Sequence, residues 1–150
     1  MLLQQEIPLK KDIHITFVSG RKVPMTTGVR MPHHKIYVLS KDRLLVDVLR
    51  TLGHEWTHEY QHQKMGVKDT QKIKNIGGPE ENMANVMAGI FTKKFEKQFP
   101  KYSKLSNKNI IMKHKDYILI DDDLPNKMFI LELTKNWDDN NGGKIIFTDG

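Results

Sequence analysis

Residues 52–63 read Leu-Gly-His-Glu-Trp-Thr-His-Glu-Tyr-Gln-His-Gln and hold the side chains best suited to chemistry. His54, Glu55 and His58 form the pattern His-Glu-x-x-His. On an α-helix, residues four apart point the same way, one turn apart. His54 and His58 can therefore offer two imidazole nitrogens to one metal ion. Glu55 is turned about 100° from His54, so it stands beside the metal without competing for it. From there its carboxylate can take a proton from a metal-bound water. This is the chemistry of zinc-dependent peptide hydrolysis, with Zn²⁺ as the cofactor. The plain alternative is a surface helix that happens to carry two histidines.

The flanking residues predict that helix. Ser40 can cap it, and Asp42 suits its positive N-terminal end. Leu44, Leu45, Val48, Leu49 and Leu52 recur at three- and four-residue spacing and give one buried side. The helix is expected over 41–63, ending near Gly66. Gly53, directly before His54, would permit close packing beside the metal. His62 lies four residues past His58 but about 12 Å along the axis from His54. Three such histidines cannot converge on one ion on a straight helix, so His62 is expected at the rim.

Before this helix, residues 13–19 and 34–39 read as strands, separated by a loop over 20–33 that carries Gly20, Pro24, Gly28 and Pro32 and has room for a short pairing segment. His33 and His34, at the start of the second strand, are expected to be exposed loop histidines. After Gly66 comes a polar connector. Pro79 then opens a second helix, with Glu80 and Glu81 in its favourable first turn. Met83, Met87, Ile90, Phe91 and Phe95 form its apolar stripe, and Pro100 ends it. Taken alone, Glu80 and Glu81 are ordinary charge complements of a helix start.

Composition narrows the classes. The chain has 150 residues, enough for one domain with a real core, expected to span 1–150. It has no cysteine, which excludes disulfides, Cys-based zinc sites and a Cys nucleophile. No apolar run reaches signal-peptide or membrane-helix length, so a cytoplasmic protein without membrane association is expected. The net charge of +6 favours acidic partners without naming one. Part of it is a lysine-rich run over 93–115, best read as a solvated face. A nucleic-acid surface is the sharper but less favoured reading, since no nucleic-acid motif accompanies it.

Glu81-Asn82-Met83-Ala84-Asn85 is Glu-x-x-Ala-Asn, following the second histidine by a modest connector. With His-Glu-x-x-His before it, this resembles the gluzincin class of zinc metallopeptidases, closest in flavour to the IrrE/ImmA-like family. The resemblance covers roughly residues 35–95. It implies that Glu81 is the third zinc ligand and that Asn85 supports a ligand histidine, with Glu80 the alternative in register. It implies a protein or peptide substrate and Glu55 as the catalytic base. Tyr60, His62 and Tyr37, with His33 and His34, are the candidates for contacting substrate or transition state. The implied fold is α+β and zincin-like. A small twisted sheet would pack on the motif helix, with the Glu-bearing helix beside it and the metal between the two. The strand 35–39 is expected at the cleft, where it could pair with an extended peptide.

The remainder, from 102 onward, reads as β-rich, with short runs at 110–112, 117–120, 129–134 and 144–148. A strong turn signal lies at 138–143. Asp121, Asp122 and Asp123 read as a polar loop. Two other functions stay open: a non-catalytic zinc domain that binds or regulates a partner, and a nucleic-acid-associated protease using the lysine-rich run. Nothing in the sequence sets the oligomeric state.

Overall fold

Ile13, Ile15 and Phe17 alternate along the first strand, and all three are buried. Such alternation buries one face of a sheet. In the computed structural model, which describes residues 2–24, 26–68, 78–100, 111–112 and 145–149, this strand is β1 (Ile13–Val18). A short helix α1 (Leu2–Glu6) precedes it. β2 (Gly28–Met31) and β3 (Lys35–Leu39) follow as an antiparallel pair. β3 and β6 (Ile145–Asp149) both run parallel to β1, giving the order β2-β3-β1-β6. The fold is α+β, with a small mixed sheet.

One reading of the sequence is corrected here. The strand 35–39 is not available to an outside peptide, because β1 and β2 occupy both of its edges. The edges of the sheet are β2 and β6, and β2 is a short pairing segment within the expected loop over 20–33.

The motif helix, α2, spans Leu45–Lys64, and so begins four residues later than expected. Asp42 takes a left-handed backbone, φ 58°, which a continuing helix cannot contain. Arg43–Leu44 forms a short strand β4, antiparallel to β5 (Ile111–Met112). Ser40 does not cap the helix. Its backbone N–H bonds Val18 O at 3.0 Å, and its buried hydroxyl has no hydrogen-bond partner among the described residues. Arg43 straps the helix start instead, donating to Leu39 O at 2.8 Å and to Thr51 Oγ1 at 3.0 Å. Leu45, Val48, Leu49, Leu52 and Trp56 are buried along one face of α2. Trp56 satisfies its indole N–H on Ile7 O at 2.7 Å, which ties the segment after α1 to the core.

The second helix, α3, spans Pro79–Gln98 with Pro79 at its first turn. Its buried positions are Ala84, Ala88, Phe91, Thr92 and Phe95, and Ile90, expected in the stripe, is 40 % exposed. The shift follows from how the two helices meet. A Cβ on Gly53 would lie 3.4 Å from Ala88 Cα and 3.1 Å from Phe91 Cδ1. Small residues on both sides let the backbones approach, so Ala84 and Ala88 are buried at the contact while Met87 packs partly buried against the core. Of the expected C-terminal strands, the first and last correspond to β5 and β6. Those at 117–120 and 129–134, the turn at 138–143, the Asp121–Asp123 loop and most of the lysine run lie outside the described residues. No helix among the described residues is long and apolar enough to cross a membrane.

Candidate metal centre

His54 and His58 stand one turn apart on α2, their rings edge-on with centroids 4.7 Å apart. Their Nε2 atoms are 3.0 Å apart. Glu81, in the first turn of α3, reaches both: Oε2 is 3.2 Å from His54 Nε2, and Oε1 is 3.1 Å from His58 Nε2. Side-chain bonds made at the far side of each ring fix which nitrogen faces this point. His54 Nδ1–H donates to Asn85 Oδ1 at 3.1 Å. His58 Nδ1–H donates to Gln61 Oε1 at 2.8 Å. Both Nε2 atoms are then bare lone pairs. Two imidazole acceptors and a carboxylate therefore crowd one point with no donor among them. Only a cation, a proton or a metal ion, makes such a contact favourable.

The dimensions suit a metal. Four-coordinate zinc with bonds of about 2.0–2.1 Å has ligand atoms about 3.3–3.4 Å apart. The observed contacts of 3.0–3.2 Å come within a few tenths of one face of that tetrahedron. His54, His58 and Glu81 are the one group of this kind among the described residues. Burial, and then the nearby His58, hold the His54 pKa below its ordinary value against the opposing pull of Glu81 and Asn85. A depressed pKa keeps its nitrogen free to ligate at neutral pH.

Gln61 is a residue that sequence reasoning missed. It is fully buried, and besides accepting from His58 it donates from Nε2 to Glu80 O at 2.8 Å. One amide thus orients a histidine on α2 and pins the first turn of α3. That contact fixes the register alternative too: Glu80 contributes its backbone carbonyl, while Glu81 faces the histidines. The signal was present in the three-residue spacing of His58 and Gln61, but it is a common one.

Glu55 lies beside this point, 7 % exposed. Burial pushes its pKa up to about 8, opposed by the Arg30 backbone N–H and assisted by the charge of Glu81. Its carboxyl opens on a cleft of about 230 Å³, walled by Thr26, Thr27 and Gly28 on the β2 side and by Arg50, Thr51 and His54 on α2. Asn85 and Ala88 of α3 close it. Gly28 matters through its missing side chain. A Cβ there would lie 2.5 Å from Thr51 Cγ2, 2.9 Å from Glu55 Cγ and 3.0 Å from Glu55 Oε1.

The residues expected to contact substrate are placed elsewhere. Tyr60 packs against the core. Tyr37 faces a different, shallow hollow, with Lys22 Nζ 5.5 Å from its ring centre. His62 donates to Val67 O at 2.8 Å and stacks near His34, ring centres 5.6 Å apart. None of the three lines the cleft beside Glu55. His33 is exposed as expected. His34 is not a simple loop histidine: its Nδ1 lies 2.6 Å from Oε1 of the buried Glu59. Comparison of the chain with family models, with curated proteins and with solved structures finds no match.

Proposed function

We propose that this chain is a zinc metallopeptidase of zincin-like, gluzincin type, acting on protein or peptide substrates. The observation that carries the reading is the convergence of His54 Nε2, His58 Nε2 and the Glu81 carboxylate at 3.0–3.2 Å, with no hydrogen-bond donor among them, next to the buried Glu55. Two neutral imidazoles and one carboxylate are a donor set suited to zinc, and three protein ligands match a catalytic rather than a closed structural site. Zinc held there would acidify a water toward neutrality and polarise a substrate carbonyl.

The chain's own residues supply the rest. Asn85 and Gln61 hold the two histidines with Nε2 forward. Glu55 takes the proton from the attacking water and returns it to the departing amine. Its walled position suits that task. A carboxyl whose burial raises its affinity for a proton accepts one readily, and a neighbouring cation favours the charged form that must do so first. The cleft between β2 and the two helices receives the substrate backbone, and β2, not β3, is the strand beside it.

The same ligand set could serve a zinc domain without catalysis, but the buried Glu55 at the cleft favours chemistry. Nothing in the described residues adds to the nucleic-acid reading. Lys94 pairs with Glu6 at 2.5 Å, so part of the basic face is spent within the chain. The test is hydrolysis of a mixed peptide library by zinc-loaded protein. Cleavage by wild type that disappears in Glu55→Gln, with zinc still bound, is the expected result. Equal cleavage by both proteins would rule out this mechanism.

A further inference from the structure

Glu59 is a fully buried carboxylate that the proposed chemistry does not use. Thr51, Glu55 and Glu59 stand at four-residue spacing on α2 and form one stripe. Four helical residues rise about 6.0 Å and two strand residues about 6.6 Å. A strand lying along such a stripe therefore meets it at every second residue. β2 does this. Gly28 sits against Thr51 and Glu55, closer than any side chain would allow. Two residues on, Arg30 gives its backbone N–H to Glu55 and its Nε to Glu59 Oε2 at 2.7 Å. The other oxygen, Glu59 Oε1, receives His34 Nδ1 at 2.6 Å and Gln63 Nε2 at 2.7 Å. His34 has φ 58° and stands in the turn that leads into β3. One buried carboxylate thus holds β2 and the turn that joins it to β3.

We propose that Glu59, with Arg30 and His34, is a clamp that sets the register of β2 on α2 and so positions the Glu55 carboxyl at the cleft. The proposal rests on Glu55 being the base of the reaction. The alternative register shows why a clamp is needed. Slipping β2 by two residues would bring Arg30 to the place of Gly28, against Thr51 and Glu55. Its side chain would displace those of Thr51 and Glu55, and its guanidinium would pair with Glu55 and remove the base. Buried ion pairs add little net stability, and their best-attested use is to fix register. Arg30, Glu59 and His34 are positioning residues, since none of them lines the cleft.

Two variants and two readouts test this. Glu59→Gln removes the charge at constant shape. The double variant Arg30→Met/Glu59→Leu replaces the pair with apolar packing, an exchange that buried pairs commonly tolerate without loss of stability. Both are expected to keep zinc affinity and KM while kcat falls about 10²-fold, the cost of a misplacement near 1 Å. Amide exchange of the metal-free protein reads the clamp without any substrate. The backbone amide at position 30 should exchange slowly in wild type and fast in both variants, while the amides of β1 and β3 stay protected. If no peptide is ever cut, the exchange arm still decides the clamp, so its failure is separable from failure of the peptidase reading. An unchanged amide at position 30 would overturn the proposal, as would a double variant with wild-type kcat.

Discussion

Two sides of α2 do different work, and they are built in different ways. On the side facing α3, His54, His58 and Glu81 gather at one point, held by Asn85 and Gln61. On the side facing β2, Gly28 and Arg30 set Glu55 and Glu59. The first side depends on helical periodicity within α2 and on one helix–helix contact across Gly53 and Ala88. The second depends on the register between a strand and a helix that are distant in sequence. Under the proposed function, holding a metal and holding a base are therefore separate tasks, and should fail separately.

The sharpest break is at the base itself. Glu55→Gln should keep zinc and lose hydrolysis by about 10²–10⁴-fold, the range for removing general acid–base catalysis. Steady-state kinetics beside a zinc assay would read it. On the α3 side, Gln61→Ala and Asn85→Ala should each weaken zinc binding by about 10–100-fold, as for other residues that orient ligands. Chelator competition checks this. If Gln61→Ala left affinity unchanged, its bond to His58 would serve packing alone. On the β2 side, Gly28→Ala should leave zinc affinity intact and cost about 1–3 kcal/mol of stability, the usual range for overpacking. It should also lower kcat, because the new methyl displaces Glu55.

The smallest expected effect is in pH. In the metal-free protein, Glu55 binds its proton up to about pH 8 when folded, against an ordinary value of 4.5. The folded state then holds the extra proton, so stability falls as pH rises from 4.5 toward 8 and levels off above. His54 works the other way. Its lowered folded pKa makes stability rise with pH until about its ordinary value of 6.5. Between roughly pH 6.5 and 8 only the Glu55 slope remains of the two. Thermal unfolding of the metal-free protein should show Tm dropping by a few degrees across that window, and Glu55→Gln should flatten it. A flat profile in wild type would mean Glu55 is better solvated than its burial implies.

These two sides also differ in how legible they were in the sequence. The positions of His54, Glu55 and His58 follow from spacing on one helix, whereas the meeting with Glu81 and Asn85 was expected only from the family resemblance that Glu81-x-x-Ala84-Asn85 carries. β1 and β3 were readable because alternating apolar residues mark a half-buried strand. The start of α2 differs from expectation because Ser40 and Asp42 are equally at home in a turn, and the pairing of Arg43–Leu44 with Ile111–Met112 joins segments far apart in the sequence. β2 was legible only as a short pairing segment without bounds, because Gly28 in a run with Pro24 and Pro32 looks like loop, while its real signal is the space it leaves for Glu55. Tyr37, Tyr60 and His62 were chosen as residues able to hydrogen-bond substrate. Where such residues point depends on tertiary packing, which sequence spacing does not encode.

The central claim is that α2 and α3 together make one zinc site. The direct measurement is zinc stoichiometry and affinity of the purified protein, for wild type and Glu81→Ala in parallel, with folding of both checked by circular dichroism. The account predicts one zinc per chain in wild type. It predicts a loss in the variant larger than the about 10–100-fold that removing a supporting residue costs. Wild type that takes up no zinc at neutral pH, or a folded Glu81→Ala that binds it as tightly, would contradict the account.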